Sequence, residues 1–241
     1  MSVSLRPPEV LPGGFSVDVS PRGAAMRWEG FPYRIEDLRG RIRVDRRGAR
    51  FQLSGKHEDG GLTMQGRIPI QKQYAPEDGF EAVVEVDGLA IDEELLAGVA
   101  VVVPELEAPW RSAAPSGRLS GAVKVWRPSA ETPLSHDVRL QLDDVDLSLP
   151  VSPWRARGLT GQVLVQGVGP EARIDVDSLR GELHDGVSRP AKLALLGHLE
   201  SGAAAARDLT FVVRELELSE QLGASLDERG ALNRATWDLS L

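Results

Sequence analysis

Apolar and polar residues alternate with a period of two along most of the chain, in short runs bounded by turn residues. In Arg41–Asp45, Ile42 and Val44 share one side while Arg41, Arg43 and Asp45 share the other. A strand points successive side chains to opposite faces, so this pattern predicts a half-buried β-strand. Ala49–Ser54 reads as its return strand, with Phe51 and Leu53 inward, and the polar run Gly55–Gly61 reads as the following hairpin loop. Leu62, Met64 and Ile68 continue the apolar face, and Gly79–Asp87 adds Val84 and Val86. Weaker alternation over Phe15–Val19 and Ala25–Trp28, with a turn at Pro21–Gly23, predicts two strands upstream.

The period then changes. Asp92 is placed to cap a short helix, because its carboxylate can accept from the free N–H groups of a first turn. Glu93 and Glu94 suit the positive end of the helix dipole. Leu95, Leu96 and Val99 form the apolar side, and Pro104 and Pro109 break the chain beyond it. Alternation resumes in Leu119–Trp126, with Val123 and Val125 inward, and in the long run His136–Leu149. There Val138, Leu140 and Leu142 share a face. Val145, Leu147 and Leu149 rejoin it after a one-residue shift at Asp143–Asp144, which predicts a bulge. Val163 and Val165 come next, then Ile174 and Val176, a loop over Glu182–Arg189, Leu193 and Leu195, and finally Phe211 and Val213.

These runs occur twice. Pro32–Val44 (PYRIEDLRGRIRV) returns as Pro153–Val165 (PWRARGLTGQVLV), a shift of 121 positions that matches the proline, the aromatic, a Leu-x-Gly and an alternating strand. Leu62 and Met64 match Leu193 and Leu195 at 131, and Val84 and Val86 match Phe211 and Val213 at 127. The helix pattern Leu89–Leu95 recurs over Leu216–Leu222, with Ser219 in place of the Asp92 cap. A shorter motif, Leu-x-Gly-x-(Val/Ile)-x-Val, is nested inside at Leu38, Leu119 and Leu159. The duplication predicts an irregular segment 1–14, a first unit 15–114 and a second unit 115–241, which is expected to be truncated. Each unit is a set of antiparallel strands followed by one short helix.

A strand with one apolar and one polar face belongs to an antiparallel sheet with one dry side. Burying each apolar residue is worth about 1.5–3 kcal/mol. Summed over the face, that exceeds a typical net stability of about 5–15 kcal/mol, so the face must be covered. Two short helices cannot cover it. A second sheet, giving a β-sandwich, and a bound apolar ligand both remain as covers.

Composition narrows the function. The net charge of -8 argues against nucleic acid, because phosphate binding needs a clustered excess of Lys and Arg. The basic stretches Arg39–Arg50 and Arg155–Arg157 are interleaved with apolar residues and read as solvated strand faces. The absence of cysteine excludes thiol catalysis, disulfides and Cys-based zinc sites. No apolar signal segment precedes Gly14, and the run Leu95–Val103 is far short of the ~20 residues a membrane span needs.

The repeated Leu-x-Gly strands, the turn-bounded alternating pairs and the Leu89–Leu95 segment resemble the AsmA/TamB-like family, over Phe15 to Leu241. The resemblance is one of repetition style. It implies a long, curved antiparallel sheet, a β-taco or groove with an apolar concave face, in a periplasmic or cell-envelope protein of outer-membrane biogenesis that moves phospholipid between membranes. It implies no enzyme activity and no cofactor. The partners implied are phospholipid or another acyl-chain lipid and neighbouring repeats of a longer chain. Membrane contact would come only through segments outside this chain, such as the family's N-terminal anchor. The implied groove lining is Ile42, Val44, Phe51, Leu53, Leu62, Met64, Val84, Val86, Val123, Val125, Val138, Leu140, Leu142, Val163, Val165, Ile174, Val176, Leu193, Leu195, Phe211 and Val213. The alternative is a structural or carbohydrate-binding β-sandwich of an envelope or secreted protein.

Other chemistry finds little support in the residues. His57 and His184 fall in turn loops, and His136 and His198 on strand surfaces, without the spacing of a zinc motif. Asp143, Asp144 and Asp146 lack the glycine and distal glutamate of an EF-hand loop. No G-x-S-x-G elbow occurs, and neither Gly158–Gly161 nor Gly167–Gly169 opens a helix as a phosphate loop does.

Overall fold

The structure, a computed structural model, describes residues 16–28, 31–45, 47–69, 79–102, 107–129, 131–149, 154–169, 171–185, 189–200, 207–215 and 237–240. The alternating runs become strands, several of them longer than their patterns suggested, such as Arg41–Asp45 within Phe31–Asp45. The first unit contributes β1 (Ser16–Val19), β2 (Arg22–Trp28), β3 (Phe31–Asp45), β4 (Gly48–His57), β5 (Gly60–Ile68) and β6 (Phe80–Ala90). After helices α1 (Glu93–Val102) and α2 (Glu107–Ala113) come β7 (Ser116–Arg127), β8 (Ser135–Ser148), β9 (Arg155–Val168), β10 (Glu171–His184), β11 (Ala191–Glu200), β12 (Arg207–Arg214) and β13 (Trp237–Ser240).

All thirteen strands lie in one sheet, and from β3 to β13 they pair in chain order. β1 and β2 both pair with β3. The ladder is antiparallel throughout, except that β13 runs parallel to β12, with Phe211 opposite Trp237. The protein is all-β, one large, open, curved sheet. A sandwich requires a second sheet facing the first, and among the described residues there is none. The ladder also runs unbroken from the first unit into the second, since β6 pairs β7 with Val84 opposite Val123.

Three local readings are corrected. The run Gly55–Gly61 is not a long loop: β4 continues to His57, β5 starts at Gly60, and Glu58–Asp59 alone make the turn. Glu58 takes up a left-handed φ of 50° to close it. Glu182–His184 likewise extends β10 rather than opening a loop. Pro109 does not break the chain into coil: it sits in the first turn of α2, where a missing N–H costs nothing. The expected helix over Leu216–Leu222 and the irregular segment 1–14 lie outside the described residues.

The predicted bulge at Asp143–Asp144 is present, with a register shift between Leu142 and Val145 and Asp144 at φ 53°. It belongs to a series. Asp37 in β3, Gly88 in β6 and Ser178 in β10 sit at register shifts with positive φ. Bulges bend a strand and increase its twist. On one side of them lie the residues that the molecule buries most deeply. One cluster gathers Tyr33, Ile35, Leu38, Leu53, Leu62, Leu89, Leu95 and Leu119; the other gathers Val145, Trp154, Ala156, Leu159, Leu183, Ala191, Leu193 and Val213. The duplicated aromatic, Tyr33 in one copy and Trp154 in the other, is core in both.

The Leu-x-Gly motif now has a physical reason. Its leucines Leu38, Leu119 and Leu159 are 4%, 8% and 4% exposed, beside the bulges. Its glycines let neighbouring backbones approach. A Cβ on Gly121 would lie 2.0 Å from the carbonyl oxygen of Arg139 on β8. The same Leu-x-Gly occurs at Leu179–Gly181, where Leu179 is again buried.

Candidate functional site: an open apolar trough with one closed end

Pairing places every expected lining residue on one face of the sheet. One cross-strand row runs Met64, Val84, Val123, Val138, Val165, Ile174, each directly opposite the next. A second joins Leu62 to Val86, and Leu140 to Val163 and Val176. Ile42 faces Phe51 and Leu53 faces Met64; at the other edge Leu195 faces Phe211 and Leu193 faces Val213. Val44, Val125 and Leu142 hold the same parity on their strands.

Burial divides this face. Leu53, Leu62, Leu193 and Val213 are buried and belong to the two core clusters, so they hold the closed end together. The other expected lining residues are half-buried, Val163 and Val165 included. They form an open trough, with α1 and α2 gathered at its closed end. Ile91, Leu95, Val99 and Trp110 pack there against the first cluster. From Gly161 to Val168 the open part of β9 is roughly 25 Å long, at about 3.3 Å per residue.

Sequence reasoning missed a member of this face. His136 lies opposite Val125 and Gly167, so it faces the trough and not the outer surface. Its ring occupies the space over Gly167, where an added Cβ would come within 2.7 Å of it. The parity of His136 with Val138 carries that placement. Leu199, which the duplication already matched to Ile68 on the apolar face, lies opposite Ile174 and extends the same row. His198 stands on the outer face, opposite Asp175.

The charges sit on the opposite face. Arg139 pairs with Asp137, Arg173 with Asp175, and Lys124 with Glu81, all at positions of outward parity. The Arg139 hydrogen bond, with a further one from Gln166, holds the Asp137 carboxyl below its ordinary range. The Arg173 hydrogen bond does the same for Asp175.

One titratable side chain is enclosed at the closed end. His57 is 7% exposed. Its Nδ1 is 2.8 Å from the carbonyl oxygen of Arg34, and its Nε2 is 3.0 Å from Oδ2 of Asp92. Both partners are acceptors, so only the imidazolium, with two N–H donors, satisfies both. Burial opposes that charge, but the two hydrogen bonds and the carboxylates of Asp92 and Glu94 outweigh it and raise the His57 pKa. The ring lies 4.2 Å from that of Tyr33, centroid to centroid. Burial, then the charges of Asp92, Glu94 and Glu58, push the Tyr33 phenol upward. Asp92 also accepts from the Leu95 N–H at 2.7 Å, the N-cap bond predicted for α1. His57 thus ties the β4–β5 hairpin to the start of the helix, a role that its place in a polar run concealed.

Among the described residues there is no group of three or more His, Asp or Glu side chains placed to hold a metal ion. No helix among them is long and apolar enough to cross a membrane. No protein-family model, curated protein or solved structure matches the chain.

Proposed function

We propose that the trough holds the acyl chains of a phospholipid or similar lipid, and that the chain is a non-catalytic, AsmA-like segment of a lipid conduit in the cell envelope. One observation carries this reading: a continuous, multi-strand apolar face stays half-exposed because no second sheet covers it among the described residues. Each CH2 of a tail that leaves water for such a surface gains about 0.8 kcal/mol, without any directional contact. The lining is aliphatic where the rows are best formed, which suits tails and discriminates little among them. Head groups would remain in solvent at the rim. Cargo would pass along the trough without a chemical step.

Native mass spectrometry of the purified chain, followed by lipid extraction, tests the proposal beside a Val163→Asp/Val165→Asp variant. Lipid is expected on the parent and lost from the variant, with circular dichroism showing that the variant keeps its strands. A folded, monomeric parent that carries no lipid and takes none from phosphatidylethanolamine vesicles would overturn the reading.

A further inference from the structure

The polar face of the first unit carries an arrangement that the fold does not require. Arg43 on β3 is directly opposite Arg50 on β4, which is directly opposite Arg67 on β5. Like charges facing one another across a ladder are destabilising. The duplication supplies an internal control. Shifting Arg43 by 121 positions gives Leu164 on β9, which faces Asp175, which faces His198. The same row on the same fold is therefore apolar, acidic and imidazole in the second unit. Three arginines in line are a property of the first unit alone.

The row ends on carboxylates, Asp18 opposite Arg43 and Glu81 opposite Arg67. Glu81 is shared, because Lys124 pairs with it at 2.9 Å. Arg50, in the middle, has an arginine on either side. Arg41, Arg43 and Arg50 make no ion pair among the described residues. In a chain of net charge -8, this is a local excess of positive charge.

The adjoining row adds polar groups. Arg41 faces Gln52, which faces Gln65. These three, with Arg39, Ser54 and Thr63, line a depression of about 640 Å³ on this outer face. Arg39 is held by Asp37, and Thr63 donates to Glu85, which also borders the depression.

We propose that this face of β3–β5 binds a phosphate ester of a polyol. Guanidinium groups present forked donors that match phosphate oxygens. Strands about 4.8 Å apart bring two facing guanidinium groups within reach of one phosphate. Gln52, Gln65 and Ser54 alongside supply the amide and hydroxyl groups that hydrogen-bond a polyol. The depression adjoins the arginine row, with Arg41 in its lining and Arg43, Arg50 and Arg67 beside it, and its volume is in the range of small-ligand sites, about 300–1,000 Å³. The concavity fits a discrete ester better than a flat membrane plane. The same ester occurs free, as a sugar phosphate, and as a lipid head group. This site uses the polar face, and it stands or falls independently of the apolar trough.

The test uses the full chain with fructose 1,6-bisphosphate, with fructose as the uncharged control, in calorimetry and thermal-shift measurements. Vesicles of phosphatidylglycerol in phosphatidylcholine form the second arm. The bisphosphate is expected to bind and raise Tm, and fructose to do neither. Arg43→Gln/Arg50→Gln should weaken binding at least tenfold while the ligand-free Tm stays level or rises, because the facing charges are gone. Arg180→Gln, on the outer face of the second unit, should bind as the parent does. Binding to vesicles alone, lost in the double variant, assigns the ester to a head group. Failure of both probes to bind, or binding undiminished in the double variant, overturns the proposal.

Discussion

Leu159 and Val163 stand four residues apart on β9 and point to the same side of the sheet. Leu159 is 4% exposed, enclosed by Val145, Trp154 and Leu183. Val163 has apolar neighbours in register on both sides, Leu140 and Val176, and is only half-buried. Nothing in the side chains makes one a core residue and the other a surface. Their places along the strand differ: Leu159 lies where the β8–β9 and β9–β10 registers shift, within a buried cluster, and Val163 lies on the regular part of the ladder. One apolar face can thus be core at one end of a strand and half-open at the other, and the change falls where the ladder registers shift.

Truncation tests this division most severely. Leu159→Ala leaves a cavity in a closed cluster and should cost about 2–5 kcal/mol in urea unfolding. Val163→Ala removes a half-wetted side chain and should cost roughly 1 kcal/mol or less. Equal losses at the two sites would mean that the trough is covered in solution and that the division between its ends is wrong.

How much of this was legible depends on which interactions are local. Strand alternation, the Asp92 cap and the bulge at Asp143–Asp144 depend on neighbouring residues, and the sequence pattern carried each of them. The open sheet was less legible: alternation and too little helix left a sandwich and an open face both standing, and only the resemblance in repetition style pointed to the open, curved form. The split of the face was not legible. Leu53 and Phe51 look alike in sequence, yet Leu53 is 6% exposed while Phe51 is only partly buried. The cluster that encloses Leu53 is assembled from distant segments: α1 returns from the end of β6 to pack near β3, where the Arg34 N–H donates to Glu94. His57 was read as a turn residue because the partners that bury it, Arg34 and Asp92, are 23 and 35 positions away. The arginine row was visible only as an alternating charge run, since register alone brings Arg43, Arg50 and Arg67 into line.

Glycine substitutions sharpen the boundary at smaller cost. Gly121→Ala should force β7 away from β8, because its Cβ would meet Arg139 O at 2.0 Å with the backbone held at φ 156°. A loss of about 1–3 kcal/mol is expected, in the range of other overpacked sites. Gly61 is the contrasting case: an added Cβ would find its nearest neighbour, Asp87 Cβ, at 3.9 Å. Gly61→Ala should be neutral or stabilising by up to about 1 kcal/mol, through the lower entropy of the unfolded chain. Two alanines of opposite sign, read from the same thermal-unfolding assay, would locate the close strand approach at the Leu-x-Gly motif.

The smallest effect expected is pH-dependent and confined to the closed end. His57 is more basic in the folded protein than the ordinary value of 6.5. The folded state therefore binds this proton more tightly than the unfolded chain does. Its contribution to stability is complete below about pH 6.5 and is lost as pH rises through the elevated folded value. Above that value a neutral ring keeps one N–H and turns a lone pair toward either Arg34 O or the Asp92 carboxylate. The loss should be about 1 kcal/mol, the net worth of a typical hydrogen bond. It should loosen the start of α1, because Asp92 also caps Leu95. Tm measured from pH 5 to 9 for the parent and for His57→Gln isolates the effect, since the other three histidines contribute equally to both. The parent should lose its advantage on the alkaline side. An advantage that instead grew with pH would mean that His57 is buried neutral and that the hairpin is tied to the helix by packing alone.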